Sequence, residues 1–128
     1  MLRDQFYNIL SVQKQGLSSV AVEVKLNAAN PIFKGHFPSV PIVPGVCMLQ
    51  MVKETLEEQV ESSLQLSTVA SLKFLSVINP LENPELSIRV DYRLESDGTI
   101  TAEGSIISSE KIFFKLVKAV YIKKHGKA

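Results

Sequence analysis

The chain has 128 residues, 45% of them hydrophobic, enough for one domain with a sizeable core and too many for a disordered chain. With 14 Lys and Arg against 13 Asp and Glu the net charge is +1, so neither sign dominates as a nucleic-acid or anionic-membrane partner would require. No apolar run approaches the roughly 20 residues that span a bilayer, the start MLRDQFYNIL lacks a signal-peptide pattern, and Cys47 is the only cysteine; the expectation is a single cytoplasmic domain over residues 1–128 with no internal disulfide.

In chain order, residues 7–15 are a candidate first strand. Residues 18–26 (SSVAVEVKL) alternate cleanly, with Val20, Val22, Val24 and Leu26 on one face and Ser19, Glu23 and Lys25 on the other, which predicts a half-buried strand. Residues 30–50 hold four of the six prolines, at 31, 38, 41 and 44, and read as a stiff loop. From Gly45 to about Ser62, Val46, Leu49, Val52, Leu56 and Val60 recur at spacings of three and four, predicting the one long helix. Cys47, Met48 and Met51 make its first half apolar on other faces as well, so protein should enclose it. Lys53, Glu54, Glu57, Glu58 and Glu61 predict that its second half reaches solvent.

A strand is expected over residues 68–77. Leu86, Ile88, Val90, Tyr92 and Leu94 then repeat the two-residue period. Asp97-Gly98 predicts a tight hairpin with positive φ at both central positions. Ile100, Ala102, Gly104 and Ile106 mark the next strand, Ser108 to Glu110 a turn, and residues 111–123 the last strand. About six mostly hairpin-connected strands and one enclosed helix predict an α+β arrangement, an antiparallel sheet curled around the helix.

The chemistry points to the proline-rich loop. A stiff loop carrying His36 leads into Pro44-Gly45 at the start of a buried helix. Unpaired N–H groups at a helix start carry partial positive charge, Gly45 allows a ligand carbonyl to come close, and a histidine exchanges a proton near neutral pH. Together they describe a base beside an oxyanion site. Two histidines and one cysteine at no ligand spacing give no metal site, and no cofactor is implied. Cys47 beside the loop reads as a small core residue rather than a nucleophile. Lys123, Lys124, His125 and Lys127 form a short basic tail.

GHFPSVPIVPGVCMLQ resembles the signature of the β-hydroxyacyl-acyl-carrier-protein dehydratases, whose fold is the hot-dog fold. Gly35, His36, Phe37, Pro38, Pro41, Pro44, Gly45 and Val46 match that pattern at fixed spacing. The resemblance implies elimination of water from a (3R)-3-hydroxyacyl thioester to give a trans-2-enoyl thioester, in fatty acid or related polyene or polyketide assembly. It implies His36 as the base that takes the α-proton, the backbone of Gly45 and Val46 at the thioester oxygen, and the Ile42 carbonyl holding the other ring nitrogen of His36. It further implies an acyl carrier protein or coenzyme A thioester as substrate, and a homodimer or higher assembly in which the acid comes from the facing chain.

One position departs from the pattern. The acid of the family falls fourteen positions after the histidine, where this chain has Gln50, and Glu54 stands one helical turn later, where the family carries an amide. Glutamine can hold a hydroxyl but has no proton to give. Three readings stay open: Glu54 serves as the acid, His36 alone shuttles the proton, or the chain is a binding subunit beside an active hot-dog partner. A hot-dog thioesterase is a further alternative, and it too needs a carboxylate.

Overall fold

The computed structural model describes residues 1–35 and 39–124. In chain order its elements are β1 (Tyr7–Lys14), β2 (Ser19–Leu26), the one-turn helix α1 (Ile32–Gly35), the long helix α2 (Gly45–Val60), β3 (Leu64–Phe74), β4 (Glu85–Leu94), β5 (Ile100–Ser108) and β6 (Lys111–Lys123). The six strands form one sheet in the order β1-β2-β4-β5-β6-β3, every neighbouring pair antiparallel. β1 and β3 are its two edges.

The two-residue period holds through β2 and the first half of β4, whereas Leu94 at the end of β4 is exposed and Ser87 on the opposite face is buried. Val20, Val22, Val24 and Leu26 of β2 are all buried, as are Leu86, Ile88 and Val90 of β4. Register pairs Val20 with Val90, Val22 with Ile88 and Val24 with Leu86, so both apolar faces lie on the same side of the sheet. Ala102, Gly104 and Ile106 continue that face on β5, and Phe114, Leu116, Ala119 and Tyr121 on β6. Against it lies α2. At Gly104 a Cβ would stand 2.8 Å from Val52 Cγ1, so the missing side chain lets the helix settle close on the sheet.

Several local expectations shift. α2 ends at Val60, and Glu61 closes it with φ of 53° in the left-handed region, its N–H returning to the Glu57 carbonyl. β3 begins at Leu64 and stops at Phe74, earlier at both ends than the window 68–77. The buried face of α2 is Cys47, Met48, Met51, Val52, Glu54, Thr55 and Leu56, whereas Val46 is 74% exposed. Of the expected stripe, Val52 and Leu56 are fully buried and Leu49 and Val60 pack against the core, while Val46 at its start turns outward. The charged half of the helix does not simply reach solvent either, because Glu54 is buried.

The two hairpin turns also exchange roles. At Asp97-Gly98 only Gly98 has positive φ, and the loop is longer than a two-residue turn, with Glu95 N–H bonded to the Thr99 carbonyl at 2.9 Å. Ser109 and Glu110, between paired Ser108 and Lys111, both take positive φ. That is the type I′ geometry, adopted without glycine.

Candidate active site

His36, Phe37 and Pro38 lie outside the described residues, and so does His125 of the basic tail. The chain on either side of the histidine is well anchored. Asn30 caps α1, its Oδ1 accepting the Ile32 N–H at 2.9 Å and its Nδ2 donating to the Gln5 carbonyl at 3.0 Å. Pro31 follows at the first helical position, where a missing N–H costs nothing. Phe33 buries its ring against Phe6 with centroids 5.0 Å apart. The chain is thus fixed in the core three residues before the histidine.

Downstream, the Val43 N–H donates to the Ile78 carbonyl at 2.9 Å. This pins the loop to the connection between β3 and β4 and sets where α2 begins. Pro44 is the N-cap residue, with φ −61° and ψ 144°, and no side chain caps the helix. The N–H groups of Cys47 and Met48 turn back to the Pro44 carbonyl, at 3.0 and 3.3 Å. Those of Gly45 and Val46 have no partner among the described residues.

Gly45 forms part of the wall of an apolar cleft of about 450 Å³, with Ile42, Val43, Met48, Phe74 and Val77 around it. A Cβ at position 45 would come within 2.7 Å of Phe74 Cζ, so any larger residue here would have to displace the half-exposed Phe74 ring. The Phe74 ring is 53% exposed and tilts against buried Phe114, centroids 5.4 Å apart. Unpaired amides at a helix start, beside an apolar slot, can hold a carbonyl oxygen on which negative charge grows. Ile42 and Gly45 share this cleft.

Gln50 does not. It lines a second cleft of about 460 Å³ with Val46, Leu49, Lys53, Leu66 and Tyr121. The structure brings Gln50 instead to Glu54, its Nε2 donating to Glu54 Oε2 at 2.8 Å. Glu54 also accepts the N–H of Leu2 (2.8 Å) on Oε2, and the N–H of Arg3 and the hydroxyl of Tyr7 (3.0 Å each) on Oε1. Four donors fill the roughly four acceptor sites of one carboxylate. Glu54 is thereby committed to its own chain, tying the N-terminal segment across the middle of the helix. The Tyr7 hydroxyl is pushed well above its ordinary range, first by burial and then by the neighbouring carboxylate charge. Burial, with a smaller push from Glu54, also raises the Cys47 thiol, which suits a packed core residue and not a nucleophile.

Sequence reasoning missed Tyr7 and Phe74. Tyr7 opens a candidate strand and gives no sign that its hydroxyl crosses to a helix 47 residues away. Phe74 could have been flagged as the aromatic nearest the turn after β3. Among the described residues no group of three or more His, Cys, Asp or Glu is placed to hold a metal ion, and no helix is long and apolar enough to cross a membrane.

The chain has clear relatives. The pattern of the ApeI-like family, described as ApeI dehydratase, matches residues 12–111. The 3-hydroxyacyl-[acyl-carrier-protein] dehydratase FabZ of Rickettsia rickettsii (strain Sheila Smith) is 27% identical over 100 residues, 69% of this chain and 68% of that one. FabZ of Roseiflexus castenholzii is 27% identical over 108 residues, 75% and 76% of the two chains. Among solved structures, the dehydratase heterocomplex ApeI:P from Xenorhabdus doucetiae superposes with a TM-score of 0.66 at 14% identity, covering 91% of this chain and 97% of that chain. A structure described as a hypothetical thioesterase with coenzyme A from Streptococcus pneumoniae gives 0.63 at 12% identity, over 98% and 94%. At such identities the structures speak to fold alone, and that fold is the hot-dog fold.

Proposed function

Since the chain belongs to the ApeI-like family of dehydratases, we propose that it removes water from a (3R)-3-hydroxyacyl thioester, carried on acyl carrier protein or coenzyme A, in fatty acid or related polyene or polyketide synthesis. The observation that carries the reading is the uncapped start of α2, whose Gly45 and Val46 amides stand unpaired where an apolar cleft begins. In the proposed reaction the His36 imidazole takes the α-proton, and the Ile42 carbonyl holds the other ring N–H. The electron pair of that C–H bond becomes the new double bond as the Cβ–O bond breaks. Charge gathered on the thioester oxygen meets the helix-start amides, a contribution of about 3–4 kcal/mol by comparison with single oxyanion donors. The leaving oxygen departs as water once it takes a proton.

Gly45 and Gln50 line different clefts of one chain, which supports a site completed by a second hot-dog chain. That chain is a second copy or, as in the Xenorhabdus doucetiae heterocomplex, a different subunit. A second reading has a specific observation in its favour. With an amide at position 50 and Glu54 filled by four donors, neither of these side chains has a proton ready for the leaving oxygen. His36 then returns the proton it took, or the chain is a binding subunit beside an active partner. The same missing acid counts against the thioesterase alternative.

The deciding experiment follows enoyl product from a 3-hydroxyacyl-carrier thioester by mass spectrometry, for wild type and His36→Ala. Product that depends on His36 supports the enzyme. No product from the chain alone, with an intact hot-dog dehydratase turning over faster in its presence than in its absence, favours the subunit.

A further inference from the structure

We infer that Glu54 is a positioning residue: it holds the NH₂ end of Gln50 inward, so that Gln50 turns its carbonyl oxygen to a thioester substrate and selects a 3-hydroxyl over a 3-keto group. The inference rests on the proposed thioester reading and names a specificity determinant within it.

The argument starts from what is fixed. Glu54 is only 6% exposed, and three of its four donors come from groups with little freedom. The Leu2 and Arg3 N–H groups belong to the backbone, and the Tyr7 hydroxyl sits on a ring that the core encloses. These three set the carboxylate independently of Gln50, so Gln50 is the partner that conforms. An ionised carboxylate only accepts hydrogen bonds, and of the two ends of an amide only the NH₂ end donates. The 2.8 Å contact between Gln50 Nε2 and Glu54 Oε2 therefore fixes which end faces the helix flank. No other side chain among the described residues bonds the amide, and Oε1 is left as the free end at the cleft that Gln50 lines with Val46, Leu49 and Leu66.

A carbonyl oxygen presented this way reads hydrogen-bond polarity. A 3-hydroxyl donates its O–H to Gln50 Oε1. A 3-keto oxygen has no hydrogen to give, and would set two acceptors against each other. Leaving such groups unpaired weakens binding by about tenfold or more. The unreduced precursor and the hydroxyl substrate have nearly the same shape, so size alone separates them poorly.

The test uses pantetheine amides, which bind without turnover, in 3-hydroxyacyl, 3-oxoacyl and saturated acyl forms of one chain length. Affinities are measured by calorimetry on the assembled protein. Wild type should bind the 3-hydroxy form at least about tenfold more tightly than the 3-oxo form. In Glu54→Gln the new amide can donate to Gln50 Oε1, Gln50 is free to reverse, and the preference should fall to within about threefold. Gln50→Leu should show the same loss while leaving the other three bonds to Glu54 intact, so it carries the test if Glu54→Gln does not fold. Equal affinities in wild type, a preference that survives in Gln50→Leu, or a preference that survives in folded Glu54→Gln overturns the assignment. If the saturated amide also fails to bind wild type, the thioester reading itself falls and the assignment falls with it.

Discussion

Two buried tyrosines allow a matched test of the Glu54 clamp. Tyr7 donates to Glu54 Oε1 at 3.0 Å, whereas the Tyr121 hydroxyl, equally enclosed, has no partner among the described residues. Tyr7→Phe removes one hydrogen bond to a charged acceptor, worth about 1.5–3 kcal/mol, and leaves Glu54 with three donors. The lower part of that range is expected for this reason. For a chain of this size each kcal/mol moves Tm by about 3–5 °C, so the fall should be near 5–10 °C. Tyr121→Phe deletes a hydroxyl that already bears its desolvation cost, and should leave stability unchanged or raise it by up to about 1 kcal/mol. Both variants are to be unfolded in urea at one fixed protein concentration, since assembly couples to stability. Equal effects from the two substitutions would refute the reasoning.

Gly104→Ala places a methyl 2.8 Å from Val52 Cγ1 in the core, and should cost about 1–3 kcal/mol by overpacking, less when combined with Val52→Ala; denaturant melts of the two singles and the double check this. Gly45→Ala meets the rim of Phe74, a half-exposed ring that can swing aside. The fold should lose under about 1 kcal/mol, while dehydration should drop by at least about tenfold, because the first amides of α2 become crowded. Tyr7 and Tyr121 are both raised by burial, Tyr121 to about 12. Below about pH 10 both states of the chain keep these protons; above it the unfolded chain releases them and the folded one does not. Stability should therefore fall as pH rises through 10–12, a trend that alkaline urea melts would reveal.

Much of this fold is legible because its cause is local. The alternation in β2 and β4 is written in consecutive residues, and the register that pairs Val22 with Ile88 keeps both faces inward. The start of α2 at Gly45 follows from Pro44. What escaped the sequence depends on partners far along the chain. Glu54 looks like a solvated helix-face charge until Leu2, Arg3 and Tyr7, about 50 residues upstream, arrive with their donors. Only Val46 of the α2 stripe leaves the core, because Cys47, Met48 and Met51 are as apolar as Val46 and packing against the sheet decides which of them turns inward. Ser109-Glu110 takes the type I′ turn because the strict pairing of Ser108 with Lys111 leaves only two residues to turn, a constraint composition does not show.

The central claim is that His36 and the start of α2 act on one thioester. Its most direct test follows a 3-hydroxyacyl-carrier thioester in deuterium oxide, with the complete assembly, reading both enoyl formation and deuterium at the α-carbon. Wild type should show His36-dependent chemistry in both channels, and His36→Ala should lose it by about a hundredfold or more. Enoyl formation by His36→Ala at the wild-type rate would contradict the account.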